Sequence, residues 1–407
     1  MRGDSVVMLD EEKTLLQNKL EKIYEIFPWY KNYCPNDKID SIKDLPLMTQ
    51  TILEKHYYDK MEDYGYSVYM TSGTSKNGRK KVYYSAKDDA EYIRIKKEIY
   101  KKVLVGLEGK IKALADMGTG HAASTAQVVF EQLGCETMNI SFELPIEEHI
   151  RILKEFCPDV LYTMPSILDS IVHNSLDVKQ YGIKKIVLVG EVASRIWINK
   201  MAKIFGISDK EIYDTYGSIE IGTLAYYSQE YGKYILAEGL LAEGLRPYEV
   251  GLETENIREN ESILVITSFV RDIFPAIRFI TFDVVRDLKT EIINDKKVQT
   301  FSCIVKRVGK EIKHGEKISI YDIENVVYQF LDKAEIRVNV ENNRMKIYIS
   351  SNELTDEKIN AIKTNVQEVI PEIGAMIRNH ILDEIEVIRN MGEKVFEKRI
   401  KNKRIYG

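Results

Sequence analysis

The stretch TSGTSKNGRK, residues 71–80, is small, polar and basic inside an otherwise bulky chain. Gly73 and Gly78 have four residues between them, and Arg79, Lys80 and Lys81 follow. This is close to the nucleotide loop G-x-x-x-x-G-K-[ST]. That loop must lead from a strand into a helix, so that its amides and the helix N-terminus hold phosphate. Here the following segment, KKVYYS (80–85), carries a valine and two tyrosines and reads as a strand. The lysine also stands one place late, and no Ser or Thr follows it. The loop therefore joins two strands, YGYSVYM (64–70) and KKVYYS, and the ordinary P-loop does not fit.

A strand–loop–strand can still take phosphate. Gly73 and Gly78 permit turns that aim backbone N–H groups inward. Thr71, Ser72, Thr74 and Ser75 offer hydroxyls, and Lys76, Arg79, Lys80 and Lys81 offer charge. The same composition also suits a solvated hairpin loop.

Outward from this loop, the pattern is α/β. Helical spacing covers 10–27, 86–107, 121–134 and 195–206, and apolar strands are expected at 111–118, 160–164 and 183–191. Strands followed by helices argue for a layered core with parallel pairs. Beyond residue 220 the pattern becomes antiparallel strands and turns. A further shift near 305 predicts two domains: a large one over 1–304 and a small α+β domain over 305–407. In the latter, Ile336, Val338 and Val340 face Met345, Ile347 and Ile349 across a hairpin.

The totals narrow the function classes. The chain has 407 residues, 44% apolar and 30% charged, with net charge −5. That balance speaks against a nucleic-acid surface, and no stretch reaches the length of a membrane span. Cys34, Cys135, Cys157 and Cys303 are scattered without a C-x-x-C pair, which favours reduced thiols in a cytoplasmic protein over a disulfide framework.

The chain resembles the adenylate-forming superfamily of acyl-CoA synthetases and peptide-synthetase adenylation domains. TSGTSKNGRKK fits the first half of the T/S-S-G-T-T-G-x-P-K signature and departs after Thr74. DTYGSIE (214–220) resembles [D/N]-x-Y-G-x-[S/T]-E, VGE (189–191) the preceding G-G-E, and FPAIRFITFDVV (274–285) the P-x-I-R-Y-x-T-x-D segment. FCPDVLYTMPSIL and KIDSIKDLPLMTQTILEKHYYD point to the phenylacetate-CoA ligase branch.

The resemblance implies an AMP-forming acid–thiol ligase. It would turn a small acyl or aryl acid into an acyl-adenylate and then a thioester, using ATP, Mg²⁺ and CoA or a phosphopantetheine thiol. An acyl carrier protein and a second copy of the chain are candidate partners. Thr71, Ser72, Gly73, Thr74 and Lys81 would meet phosphate. Tyr216 would lie against the adenine, Gly217 would allow close backbone approach, and Glu220 would hold the metal. Asp214, Ser218 and Glu191 would belong to the same nucleotide site, although Glu191 also suits a cap on the next helix. Asp283 would accept from the ribose. His121 would gate the acyl pocket. Lys394, ahead of Lys398, would be the adenylation lysine. The hinge region VKRVGKEIKHGEKI lacks the family's aspartate and leaves Arg307 and Lys310 as candidates. These departures keep an alternative open, a catalytically impaired adenylate binder.

Overall fold

The computed structural model describes residues 10–34, 39, 41–61, 65–70, 80–117, 121–141, 144–252, 257–308, 320–341, 344–378, 382–390 and 405–406. Three helices open it: α1 (Asp10–Ile26), α2 (Trp29–Tyr33) and α3 (Gln50–His56). The hairpin β1 (Ser67–Met70) and β2 (Lys81–Tyr84) follows, antiparallel, with Met70 opposite Lys81. The strand–loop–strand reading of residues 71–80 therefore holds at both flanks.

A run of alternating elements comes next: α4 (Ala86–Leu104), β3 (Lys112–Asp116), α5 (His121–Gln132), β4 (Glu136–Ile140), α6 (Ile146–Phe156), β5 (Val160–Thr163), α7 (Pro165–Asn174), β6 (Lys185–Leu188) and α8 (Arg195–Phe205). Local chemistry sets their ends. Ser85 and Asp88 form a reciprocal cap at the start of α4. Ser194 caps α8, which Gly206 closes at φ +71°. Strand β4 escaped the sequence reading because its outer residues are polar and half exposed.

The antiparallel section holds β7 (Ile212–Ser218), β8 (Gly222–Ser228), β9 (Lys233–Leu236), β10 (Leu240–Leu245), β11 (Glu261–Ser268), β12 (Phe279–Arg286), β13 (Lys289–Ile293), β14 (Lys296–Phe301) and β15 (Cys303–Arg307). One nine-stranded sheet runs β13-β14-β9-β8-β7-β6-β5-β3-β4. Its strands β4, β3, β5, β6 and β7 are parallel, whereas β7 pairs antiparallel with β8. Strand β7 is thus where the sheet changes sense, and it carries DTYGS. A four-stranded sheet, β10-β11-β12-β15, completes the large domain, whose strands run to Arg307, past residue 305.

The small domain holds α9 (Ile320–Val327), β16 (Glu335–Glu341), β17 (Arg344–Ser350), α10 (Asp356–Val369), α11 (Pro371–Arg378), β18 (Glu384–Arg389) and β19 (Ile405–Tyr406). Its sheet orders as β18-β17-β16-β19, with Ile336 opposite Ile349 and Val338 opposite Ile347. It buries its own core around Ile323, Val338, Ile347 and Ile362. The alternation read from the sequence sets this register, because each apolar residue of one strand meets one of the other on the same face. The two domains touch where Lys200 of α8 lies 3.7 Å above the Tyr328 ring.

Candidate active site

The segment DTYGSIE forms a tight hairpin. Strand β7 ends at Ser218, whose hydroxyl accepts from Ile221 N at 3.2 Å, and β8 returns at Gly222. A Cβ on Gly217 would meet the Gly222 carbonyl oxygen at 2.7 Å, so glycine is required for the two backbones to close. The register slips between Tyr216 and Gly217. Such a bulge turns a side chain away from the regular pleat. Tyr216 thereby reaches across to the second sheet, and its hydroxyl donates to Asp283 Oδ2 at 2.5 Å.

Asp283 sits on a second irregularity. Phe282 adopts φ +61°, and the β11–β12 register shifts alongside it. The Thr281 hydroxyl accepts from the Asp283 amide at 3.1 Å and donates to the Leu264 carbonyl, pinning the turn. Asp283 lies opposite Arg307 of β15, whose Nε stands 3.9 Å from Oδ1. Burial and the Asp283 charge push the Tyr216 phenol far above its usual range, so it stays protonated and donating. The arrangement leaves one edge of the carboxylate facing a largely exposed cation. Sequence reading found Asp283 but took Arg307 only as a hinge candidate. Its pairing with Asp283 follows from the β12–β15 register, which no motif announces.

Around Glu220 the hairpin is tied to β2, the strand that follows residues 71–80. The Tyr84 hydroxyl donates to the Ile219 carbonyl at 2.8 Å. Arg271 donates Nε to the Glu220 carbonyl at 3.2 Å, donates also to the Tyr83 carbonyl, and stacks 3.5 Å over the Tyr84 ring. Asp88 faces Arg271 at 2.6 Å, with both side chains almost fully buried. Neither Arg271 nor Asp88 was singled out from the sequence. The signal available was Asp88 as the fourth residue of an S-x-x-D cap. The Glu220 carboxylate makes no hydrogen bond or ion pair among the described residues. A narrow cleft that includes the next residue, Ile221, is lined also by Tyr84, Tyr92, Thr223, Leu240 and Arg271. A more open depression, on the outer strands around Lys233, Lys289 and Thr300, touches none of the predicted site residues.

Other predicted residues are engaged differently. Glu191 accepts from the Ser166 amide at 2.8 Å and from its hydroxyl at 2.9 Å, so it caps the start of α7, while the next helix, α8, has Ser194. Asp214 is buried under the sheet and accepts from the Tyr234 hydroxyl. Burial raises its pKa to about 7, against the lowering effects of Tyr234 and Arg195. Lys80 is paired with Glu54 at 2.6 Å and lies over the Tyr58 ring, whereas Lys81 stands 3.6 Å from Asp59. Thr71, Ser72, Gly73, Thr74, Lys76, Arg79, Lys310, Lys394 and Lys398 lie outside the described residues, as does the side chain of His121. Among the described residues, no group of three His, Cys, Asp or Glu could hold a metal, all four cysteines are free, and no helix is long and apolar enough to cross a membrane. A lone carboxylate such as Glu220 still suits Mg²⁺, which takes one or two carboxylates and completes its shell with phosphate oxygens and water.

A family profile described as the fumarate–diaminopropanoate ligase C-terminal domain matches residues 313–392. The curated fumarate–(S)-2,3-diaminopropanoate ligase of Enterobacter agglomerans is 33% identical over 386 residues, 92% of this chain and 95% of that one. A 2-hydroxyisobutyryl-CoA ligase crystallised in the postadenylation state superposes with a TM-score of 0.73 at 13% identity, covering 100% of this chain and 93% of its own. The same enzyme in the thioesterification state gives a TM-score of 0.61 at 15% identity, covering 98% of this chain and 90% of its own. The chain shares its fold with CoA ligases solved as acyl-AMP complexes, and it belongs to the family of the fumarate–(S)-2,3-diaminopropanoate ligase.

Proposed function

We propose that the enzyme joins a small carboxylic acid to an amino group of an amino acid, by way of an acyl-adenylate. The observation that carries this is the 33% identity to a fumarate–diaminopropanoate ligase over nearly the full length of both chains. In the first half-reaction a carboxylate oxygen attacks the α-phosphorus of ATP, and pyrophosphate leaves. In the second, the amine nitrogen attacks the acyl carbon, AMP leaves, and the amine proton passes to solvent. Both steps build negative charge on phosphate oxygens, so fixed donors and cations matter more than a protein nucleophile.

The roles we assign follow that chemistry. Asp283 accepts from the ribose hydroxyls with the edge that faces Arg307, since an ionised carboxylate offers only acceptors. Tyr216, held by Asp283, gives the adenine a flat face. Glu220 would hold Mg²⁺, whose charge would neutralise phosphate. Thr71 to Thr74 and Lys81 serve the pyrophosphate end, and Lys394 the α-phosphate. Glu191 and Asp214 support the site through the start of α7 and through Tyr234.

A second reading, transfer to the thiol of CoA or of a carrier protein's phosphopantetheine, has support in the fold shared with CoA ligases and in the likeness to the phenylacetate-CoA ligase branch. One incubation separates them. With ATP, Mg²⁺, fumarate, diaminopropanoate and CoA together, mass spectrometry should find AMP and the amide. AMP with fumaryl-CoA and no amide would replace the first reading by the second.

A further inference from the structure

Lys96 lies in the middle of α4 and is 5% exposed. Its ammonium nitrogen stands 4.6 Å from the ring centre of Tyr92, 5.4 Å from that of Tyr162 and 6.0 Å from that of Tyr100. Its hydrogen-bond partner among the described residues is the Tyr162 hydroxyl, at 3.4 Å. No carboxylate reaches it there, whereas the other buried cation near the cleft, Arg271, has Asp88. The Tyr100 hydroxyl is also buried and, among the described residues, lacks a hydrogen-bond partner of good geometry, although it lies near enough to Tyr162 for each phenol to shift the other's ionisation.

Aromatic faces attract a cation weakly and do not replace a counter-ion for a charge removed from water. Burial accordingly pulls the Lys96 pKa down to about 7. An ammonium has three donors, and Lys96 spends one on the Tyr162 hydroxyl beside the buried Tyr100 phenol, which leaves it donors to spare. Tyr92 is the link to the cleft: it lines the cleft, and its ring centre stands 4.6 Å from the Lys96 ammonium. Gly222 allows this approach: a Cβ there would stand 3.0 Å from the Tyr92 ring. Ile221, the residue after Glu220, lines the same cleft.

We propose that Lys96, with the hydroxyls of Tyr100 and Tyr162, receives the distal carboxylate of a dicarboxylic acid whose other carboxylate is activated at Glu220. Lys96 is thus a specificity-determining residue for the acid. This rests on the adenylation reading above, and it assigns the acid's second charge to named side chains. A monocarboxylic acid of the same shape leaves the lysine without its partner. The charge-assisted bonds it forgoes correspond to a preference on the order of 10²-fold.

Pyrophosphate–ATP exchange on the full chain tests this with fumarate and crotonate, which differ by a carboxylate against a methyl group. The wild type should show kcat/KM for fumarate about 100-fold above that for crotonate. Lys96→Met should bring the ratio close to one, chiefly through the KM for fumarate, and Lys96→Arg should keep part of it. Equal use of both acids by the wild type, or a Lys96→Met ratio unchanged from wild type, overturns the assignment. Should Lys96→Met not fold, Tyr100→Phe and the wild-type ratio decide: the first should lower fumarate use several-fold and leave the crotonate value within twofold. Exchange with monocarboxylic acids alone sinks the Lys96 assignment only. Absence of exchange with any acid sinks the adenylation reading itself.

Discussion

Replacing Asp88 by Asn should unseat the hairpin that carries residues 71–80. The Asp88 carboxylate accepts from the amides of Asp272 at 2.6 Å, Ile273 at 3.1 Å and Ser85 at 3.0 Å, and it faces Arg271. The two side chains are 0% and 3% exposed, so the variant leaves a buried guanidinium without its counter-charge. Breaking such a pair costs about 3–5 kcal/mol. Loss of the charged cap at α4 adds about 1 kcal/mol. Arg271 also holds the Tyr83 carbonyl and the Tyr84 ring, so the damage should pass to β2 and raise the KM for ATP more than that for the acid. Urea unfolding followed by the fluorescence of Trp29 and Trp197 reads the first effect, and exchange kinetics the second. In a cycle with Arg271→Met, the double variant should recover about 2 kcal/mol or more relative to the sum of the singles. A loss under about 1 kcal/mol for Asp88→Asn, or no coupling in the cycle, would refute the reasoning.

Three further outcomes are expected. Asp283→Ala should raise the KM for ATP about 10- to 150-fold, the equivalent of about 1.5–3 kcal/mol of charge-assisted hydrogen bonding, with folding retained; an unchanged KM in exchange assays would remove Asp283 from the ribose. Glu191→Ala should cost about 1 kcal/mol in urea unfolding through the start of α7 and leave the exchange KM for ATP within threefold. Asp214 carries the sign of a buried acid. Its folded pKa, about 7, exceeds the unfolded value, so the folded state binds the extra proton between about pH 4 and 7. Its contribution is therefore most favourable below pH 4 and is lost as pH rises to 7, with a slope of up to about 1.4 kcal/mol per pH unit. Asp214→Asn should flatten that slope, and a variant whose melting temperature tracks the wild type across this range would contradict the assignment.

Much of this molecule was legible because its signals are local. The tyrosines after Lys80 identified a strand, the alternation around Val338 and Ile347 fixed a register, and DTYGSIE brought Tyr216 and Glu220 to the place where the sheet changes sense. What escaped depends on contacts between distant segments. The bulges at Tyr216 and Phe282 that bring Tyr216 onto Asp283 are set by strand pairing, and no residue type declares them. Arg271 and Asp88 look like ordinary surface charges until α4 packs on the β11–β12 connection. Lys96 is different: Tyr92, Lys96, Tyr100 and Val103 recur at helical spacing, and a lysine on that stripe is a burial signal available in the sequence itself.

Acid-dependent pyrophosphate–ATP exchange tests the central claim most directly. The purified chain with ATP, Mg²⁺ and labelled pyrophosphate should return label to ATP only when a carboxylic acid is added, with fumarate the strongest of a panel, and Lys394→Ala should abolish it. ATP hydrolysis that ignores the acid, or no exchange with any acid despite measurable ATP binding, would contradict the account.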